Sequence, residues 1–128
     1  MNVLLDTSVF IARETARPLE PLPAGTRTAV SVMTVAELRI GVLVAADPTT
    51  RAARLRTLES ATRDHDPLPV DDAVAEHFAR LVAQLRDVGR NPRVIDTLIA
   101  ATAIAHGAAV ATQDADLDDL PGVEVVRV

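Results

Sequence analysis

The 128-residue chain contains no cysteine, tryptophan or tyrosine and only two phenylalanines, and all 13 of its basic residues are arginine. Without cysteine there is no disulfide framework, thiolate zinc site or cysteine nucleophile. Phe10 and Phe78 both suit core positions, so the chain has little on which to stack nucleotide bases. The three histidines, His65, His77 and His106, are scattered without ligand spacing, which argues against imidazole-based transition-metal chemistry. No apolar run approaches the roughly 20 residues of a membrane span. The longest, Leu98 to Ala111, is short and alanine-rich, and Asp6 interrupts the first run too early for a signal peptide. One soluble, cytoplasmic domain, 1–128, is expected.

The formal charge of −5 has a local origin. Setting aside Asp6, Glu37, Asp96, Asp114 and Asp116 leaves 13 acids against 13 arginines. Two bound divalent ions would neutralise four of those five charges and leave the remaining surface free to present basic patches. Arginine suits bidentate phosphate contacts, although a genome biased towards arginine and alanine codons explains the same composition.

Along the chain, residues 2 to 5 are a short apolar run that stops at an acid, as a buried parallel strand does. Asp6, Thr7 and Ser8 offer capping groups for a helix through Val9, Phe10, Ile11 and Ala12. Pro18, Pro21, Pro23 and Gly25 make the next stretch a loop. Thr28 to Val32 reads as a second strand, and Thr34 as the cap of a helix with Glu37 in its first turn and Val35, Leu38, Val42 and Leu43 inward. After Asp47-Pro48 a further helix carries a stripe of Ala52, Leu55, Leu58 and Thr62. Pro67 to Val70 is a brief strand or extended entry to a helix capped by Asp71 and Asp72, with Val74, Phe78, Leu81, Val82 and Leu85 at helical spacing. Capping and dipole roles account for Asp71, Asp72 and Glu76. A helix from about Val94 to His106 is apolar on nearly every face, which leaves Asp96 in its first turn as the exception needing a reason. Ala109 to Thr112 and Val123 to Val128 complete about five strands. Strands alternating with helices predict a mainly parallel sheet between helical layers.

In such a sheet a site forms beyond the carboxyl ends of the strands. Asp6 and Asp114 follow strands directly, and Glu37 and Asp96 enter early in helices beginning at or near the same edge. Carboxylates this close together repel one another and lose water unless a cation holds them. Oxygen ligands without histidine or cysteine select Mg2+ or Mn2+. Two such ions about 4 Å apart suit phosphodiester hydrolysis, because they bind the scissile phosphate, acidify an attacking water and stabilise the leaving oxygen.

Leu5-Asp6-Thr7-Ser8, Val35-Ala36-Glu37-Leu38 with Gly41, Asp96-Thr97-Leu98-Ile99-Ala100-Ala101-Thr102-Ala103, and Thr112-Gln113-Asp114-Ala115-Asp116 resemble, in order and spacing, the motifs of the PIN-domain ribonucleases. The resemblance covers essentially the whole chain and is to the VapC-type toxins of bacterial toxin-antitoxin pairs. It implies a PIN-like three-layer α/β/α sandwich, Mg2+- or Mn2+-dependent endonucleolytic cleavage of RNA, and inhibition by a small VapB-type antitoxin, with a homodimer or a toxin-antitoxin hetero-oligomer as the assembly. It implies Asp6 and Asp96 as the principal metal ligands and Glu37 as the acid completing the pocket. Asp114 and Asp116 would be fourth-corner ligands, direct or through water, and Thr7 or Thr112 would orient the acids. Leu117 stands where an aromatic often follows the last acid, so the division of labour between Asp114 and Asp116 stays open, with Asp119 a weaker candidate. Arg13, Arg39 and Arg93 lie closest in sequence to these segments and are the expected phosphate contacts. Two competing readings are a receiver-like phosphoacceptor domain and a catalytically silent PIN-like binding module. The first would use a lysine on its acyl phosphate, which this chain lacks, and the second would lack a core acid.

Overall fold

The computed structural model describes residues 1–128. In chain order the elements are β1 (Asn2–Leu5), α1 (Thr7–Glu14), β2 (Arg27–Ala29), α2 (Val32–Leu43), α3 (Pro48–Asp64), α4 (Asp72–Asp87), α5 (Val94–Ala105), β3 (Ala109–Thr112), a 3-10 turn at Ala115–Leu117, and β4 (Val125–Arg127). The strands form one sheet in the order β2-β1-β3-β4, parallel throughout, with Leu5 opposite Ala111 and Thr112 opposite Arg127.

Alternation along β1 builds the layers. Val3 and Leu5 point into a core with Val9, Phe10, Val35, Leu38, Leu58 and Ala61, supplied by α1, α2 and α3. Leu4 points the other way, with Val110, into a core made with Val74, Leu81 and Leu85 of α4 and Ile99 to Ala101 of α5. A central strand buried on both faces needs no polar alternation, and β3 is buried at all four positions. The expected three-layer α/β/α sandwich with a parallel sheet is therefore found. No helix is long and apolar enough to cross a membrane.

The sheet has four strands rather than the five expected. Pro67 and Pro69 carry no N–H, so between them only Leu68 can pair. It donates to the Val30 carbonyl (2.8 Å) and accepts from the Val32 N–H (2.9 Å), an isolated bridge. The last strand is also shorter than Val123 to Val128, and β2 ends at Ala29 rather than Val32. Ser31, not Thr34, caps α2: its backbone is extended and its Oγ accepts from the Met33 N–H at 3.0 Å. Glu37 consequently sits in the second turn of α2, not the first. Leu43, expected inside, is 71% exposed.

The inward face of α3 is rotated from the expected stripe: Leu58 and Ala61 are buried, whereas Ala52, Leu55 and Thr62 are exposed. Polar side chains set that rotation. Arg54 Nη1 donates to the Gly41 carbonyl (2.7 Å) and Thr57 Oγ1 to Glu14 Oε1 (2.7 Å), which turns these positions towards α2 and α1.

Candidate active site

Asp6 lies just past the end of β1, where its N–H donates to the Ala111 carbonyl at 2.9 Å and sets it beside Thr112. It is the N-cap residue of α1, yet its side chain makes no capping bond. Instead Oδ2 accepts from Ser8 Oγ (2.8 Å) and Thr112 Oγ1 (2.9 Å). Those hydroxyls in turn accept from the Gln113 N–H and the Asp114 N–H, each at 3.0 Å, so the cluster fixes both the carboxylate and the turn after β3. Asp6 is only 5% exposed. Oδ1 accepts no bond from the protein, and no side-chain oxygen in the chain is sealed from solvent without a partner. A buried carboxylate thus has one oxygen anchored and the other available.

Glu37 reaches the same edge from α2. Thr7 Oγ1 donates to its Oε1 at 2.6 Å, and Thr34 Oγ1 lies 3.3 Å from Thr7 Oγ1. Asp96 is in the first turn of α5, and Asp114 follows β3 with its backbone held by Thr112. Asp116, on the 3-10 turn, is hydrogen-bonded to Arg93, whose Nη1 also lies 3.6 Å from Asp96 Oδ2. Asp119 is turned aside to Arg90 (3.4 Å).

The electrostatics join these acids into one group. Burial raises the pKa of Glu37, partly offset by the Thr7 hydrogen bond, and the charges of Asp6, Asp96 and Asp114 raise it further. Asp96 is raised by burial and by Asp6, against the opposing pull of Arg93. Asp114 is raised by burial, Asp6 and Asp116, with Arg17 and Arg127 opposing. Asp6, Glu37, Asp96 and Asp114 therefore act on one another through their charges, while Asp116 is engaged by Arg93.

The donor chemistry fits a hard divalent cation: carboxylate oxygens only, with Asp6 Oδ1 free of protein partners. As the side chains stand, no three of them close a ligand shell around one point.

Three contributors escaped the sequence reading. Ser8 had only a capping role there, although a hydroxyl two residues after a strand-end acid is a readable signal for a carboxylate partner. Arg17 and Arg127 approach Asp114 from the proline-rich loop and from β4, a proximity that only the fold reveals. Arg127 bonds the Asp114 carbonyl and both oxygens of Asp118 (2.7 and 2.6 Å), clasping the turn that carries Asp114 and Asp116. Of the three arginines expected at the rim, Arg93 touches site acids, Arg39 is exposed on α2, and Arg13 lies over the Phe10 ring, 5.7 Å from its centroid.

Residues 3–123 match the family model of the PIN domain. Ribonuclease VapC5 of Mycobacterium tuberculosis is 48% identical to this chain over 128 residues, covering 98% of the chain and 94% of the relative. Ribonuclease VapC4 of the same organism is 47% identical, with both chains covered in full. Among solved structures, that of VapBC-5, a member of the VapBC family of toxin-antitoxin systems from Mycobacterium tuberculosis, superposes with a TM-score of 0.84 at 46% identity, covering 99% of this chain and 98% of the other. The chain belongs to the PIN-domain family, among its VapC-type ribonucleases.

Proposed function

We propose that this chain is a toxin-type endoribonuclease that hydrolyses RNA phosphodiester bonds with one or two divalent cations, Mg2+ or Mn2+. Asp6, Glu37, Asp96 and Asp114 would hold the cation directly or through water, with Asp116 at the margin. The observation that carries this reading is Asp6: a buried carboxylate anchored through Oδ2 by two hydroxyls, among three acids whose protons are held more tightly than usual. Mutual repulsion of this kind is relieved by a bound cation. When bound, the cation would polarise the phosphate and acidify an attacking water. The protein's own part is placement. Ser8 and Thr112 fix Asp6, Thr7 fixes Oε1 of Glu37 and leaves Oε2 to bind the cation or a water, and Arg17 and Arg127 stand near Asp114, where a phosphate backbone would pass.

Regulation by a VapB-type antitoxin belongs to the same proposal, as does a cytoplasmic location where RNA substrates are met. VapC-type relatives carry the name ribonuclease, and the similar VapBC-5 is described as a toxin-antitoxin system. A groove of about 400 Å³ lined by Thr7, Ile11, Glu37, Ile40 and Val44 runs between α1 and α2 to the site, and the exposure of Ile11, Ile40 and Val44 along it suits an apolar protein partner.

Cleavage of total cellular RNA by the purified chain and by Asp6→Asn and Asp96→Asn variants, with Mg2+, Mn2+ or chelator, tests the activity. Discrete fragments that require both metal and the two acids support it. Only background cleavage by folded, metal-binding wild type across a broad RNA panel overturns it.

A further inference from the structure

Arg93 immediately precedes α5, but its side chain does not cap the helix: the N-cap position carries no side-chain capping bond. Its backbone does that work, the carbonyl accepting from the Thr97 N–H (2.9 Å) and from Thr97 Oγ1 (2.6 Å). Nor does packing hold the side chain, which is 66% exposed. What holds it is charge. Nη1 bonds Asp116 Oδ2 and lies 3.6 Å from Asp96 Oδ2, placing one guanidinium between an acid of α5 and an acid of the 3-10 turn. The three residues share the wall of a cavity of about 300 Å³, together with Arg90, Asn91 and Thr97.

A cation is thus already present among the acids. Asp96 and Asp116 would otherwise add two further negative charges to the group that holds Asp6, Glu37 and Asp114, and the guanidinium offsets part of them. A guanidinium and a divalent ion cannot use the same carboxylate lone pairs together, and their charges repel at contact distance.

We propose that Arg93 is an internal counter-ion that occupies Asp96 and Asp116 while the site holds no metal, and yields those oxygens when a divalent cation enters. This rests on the reading of the acids as a cation site. The arrangement makes metal entry an exchange of one cation for another. Arg93 acts on the metal through the two carboxylates, so it is a positioning residue rather than a catalytic one.

Binding of Mn2+ to the full chain, followed by electron paramagnetic resonance of the free ion, tests the exchange in the wild type, Arg93→Ala and Arg93→Lys. Removing the competitor is expected to tighten Mn2+ binding about fivefold to tenfold in Arg93→Ala. Arg93→Lys, which keeps the charge but loses the fork, should fall between the two. A residue that merely clasps α5 to the turn would give the opposite order, because loosening the ligands weakens the metal. In the wild type, Mg2+ should also move the Arg93 side-chain Nε–Hε resonance. Equal or weaker Mn2+ binding by Arg93→Ala, or an Arg93 resonance unchanged at saturating Mg2+, overturns the exchange while leaving the cation site intact. Failure of all three folded proteins to bind Mn2+ overturns the cation site itself, and the exchange with it.

Discussion

Thr112 Oγ1 donates to Asp6 Oδ2 at 2.9 Å, and the same oxygen accepts from the Asp114 N–H at 3.0 Å. One hydroxyl therefore sets the position of two acids that lie just beyond the ends of neighbouring parallel strands. Thr112→Val keeps the shape and deletes both bonds, leaving Ser8 as the only side-chain donor to Asp6. We expect RNA cleavage to fall at least about tenfold and urea-derived stability to drop by about 1–2 kcal/mol, the cost of stranding a buried partner. Thr112→Ser should retain most of both. Wild-type cleavage by Thr112→Val would show that the hydroxyl does not position the site.

The raised pKa values of Glu37, Asp96 and Asp114 make the metal-free protein sensitive to pH in a defined sense. Between the ordinary carboxylate value and the raised one, the folded chain binds more protons than the unfolded chain, so these groups lose stability as pH rises through that window. In chelator at pH 7, Asp96→Asn is expected to melt above the wild type. The gap should close on acidification towards the ordinary carboxylate range, where Asp96 takes up its proton. Added Mg2+ should then stabilise the wild type more than the variant. Thermal melts across pH check the sign, and a variant that melts below the wild type in chelator contradicts it.

Arg127 clasps the Asp114–Asp118 turn through a half-exposed ion pair to Asp118, so it contributes little to global stability and much to local placement. Arg127→Ala should leave the melting temperature within a few degrees of wild type while cutting cleavage by up to about a hundredfold, the cost of a carboxylate displaced by an ångström or so. Asp118→Asn should reproduce part of the loss, and the double variant should cost less than the sum, because the two residues share one contact. Additive losses would separate them.

Arg39 is exposed on α2, two residues beyond Glu37. If it meets an RNA phosphate, Arg39→Ala lowers affinity for every single-stranded RNA alike and reduces the slope of log affinity against log salt by about 0.7. Fluorescence anisotropy at several salt concentrations, using the uncleaving Asp6→Asn background, measures both. An unchanged slope removes Arg39 from the interface.

The site was legible wherever an acid contradicted its surroundings. Asp6 follows an apolar strand and Asp96 opens an apolar helix, and each conflict between local pattern and residue type marked an acid that the fold brings to the same group of interacting charges. What sequence could not weigh was competition between equivalent local signals. Ser31 and Thr34 are both good caps, and the choice fell to Ser31 because its backbone is extended beside the Leu68 bridge. Leu68 looked like part of a strand until its flanking prolines are counted as missing donors. The face of α3 differs from the expected stripe because two polar side chains outside it, Arg54 and Thr57, bond to Gly41 and Glu14 across helix contacts. Arg17 and Arg127 were invisible for the plainest reason: nothing along the chain brings them near Asp114.

The parallel pairing of β1 with β3 joins Leu5 to Ala111, and β4 packs on β3 only afterwards in the chain. Asp6 is made almost first, but its Thr112 partner and the Arg127 clasp are made more than a hundred residues later. Long-range closures of this kind come late in folding. A ribosome-bound fragment therefore carries Asp6 without the hydroxyl and the neighbouring strand that fix it, and the carboxylate is set in place only when β3 has emerged and docked.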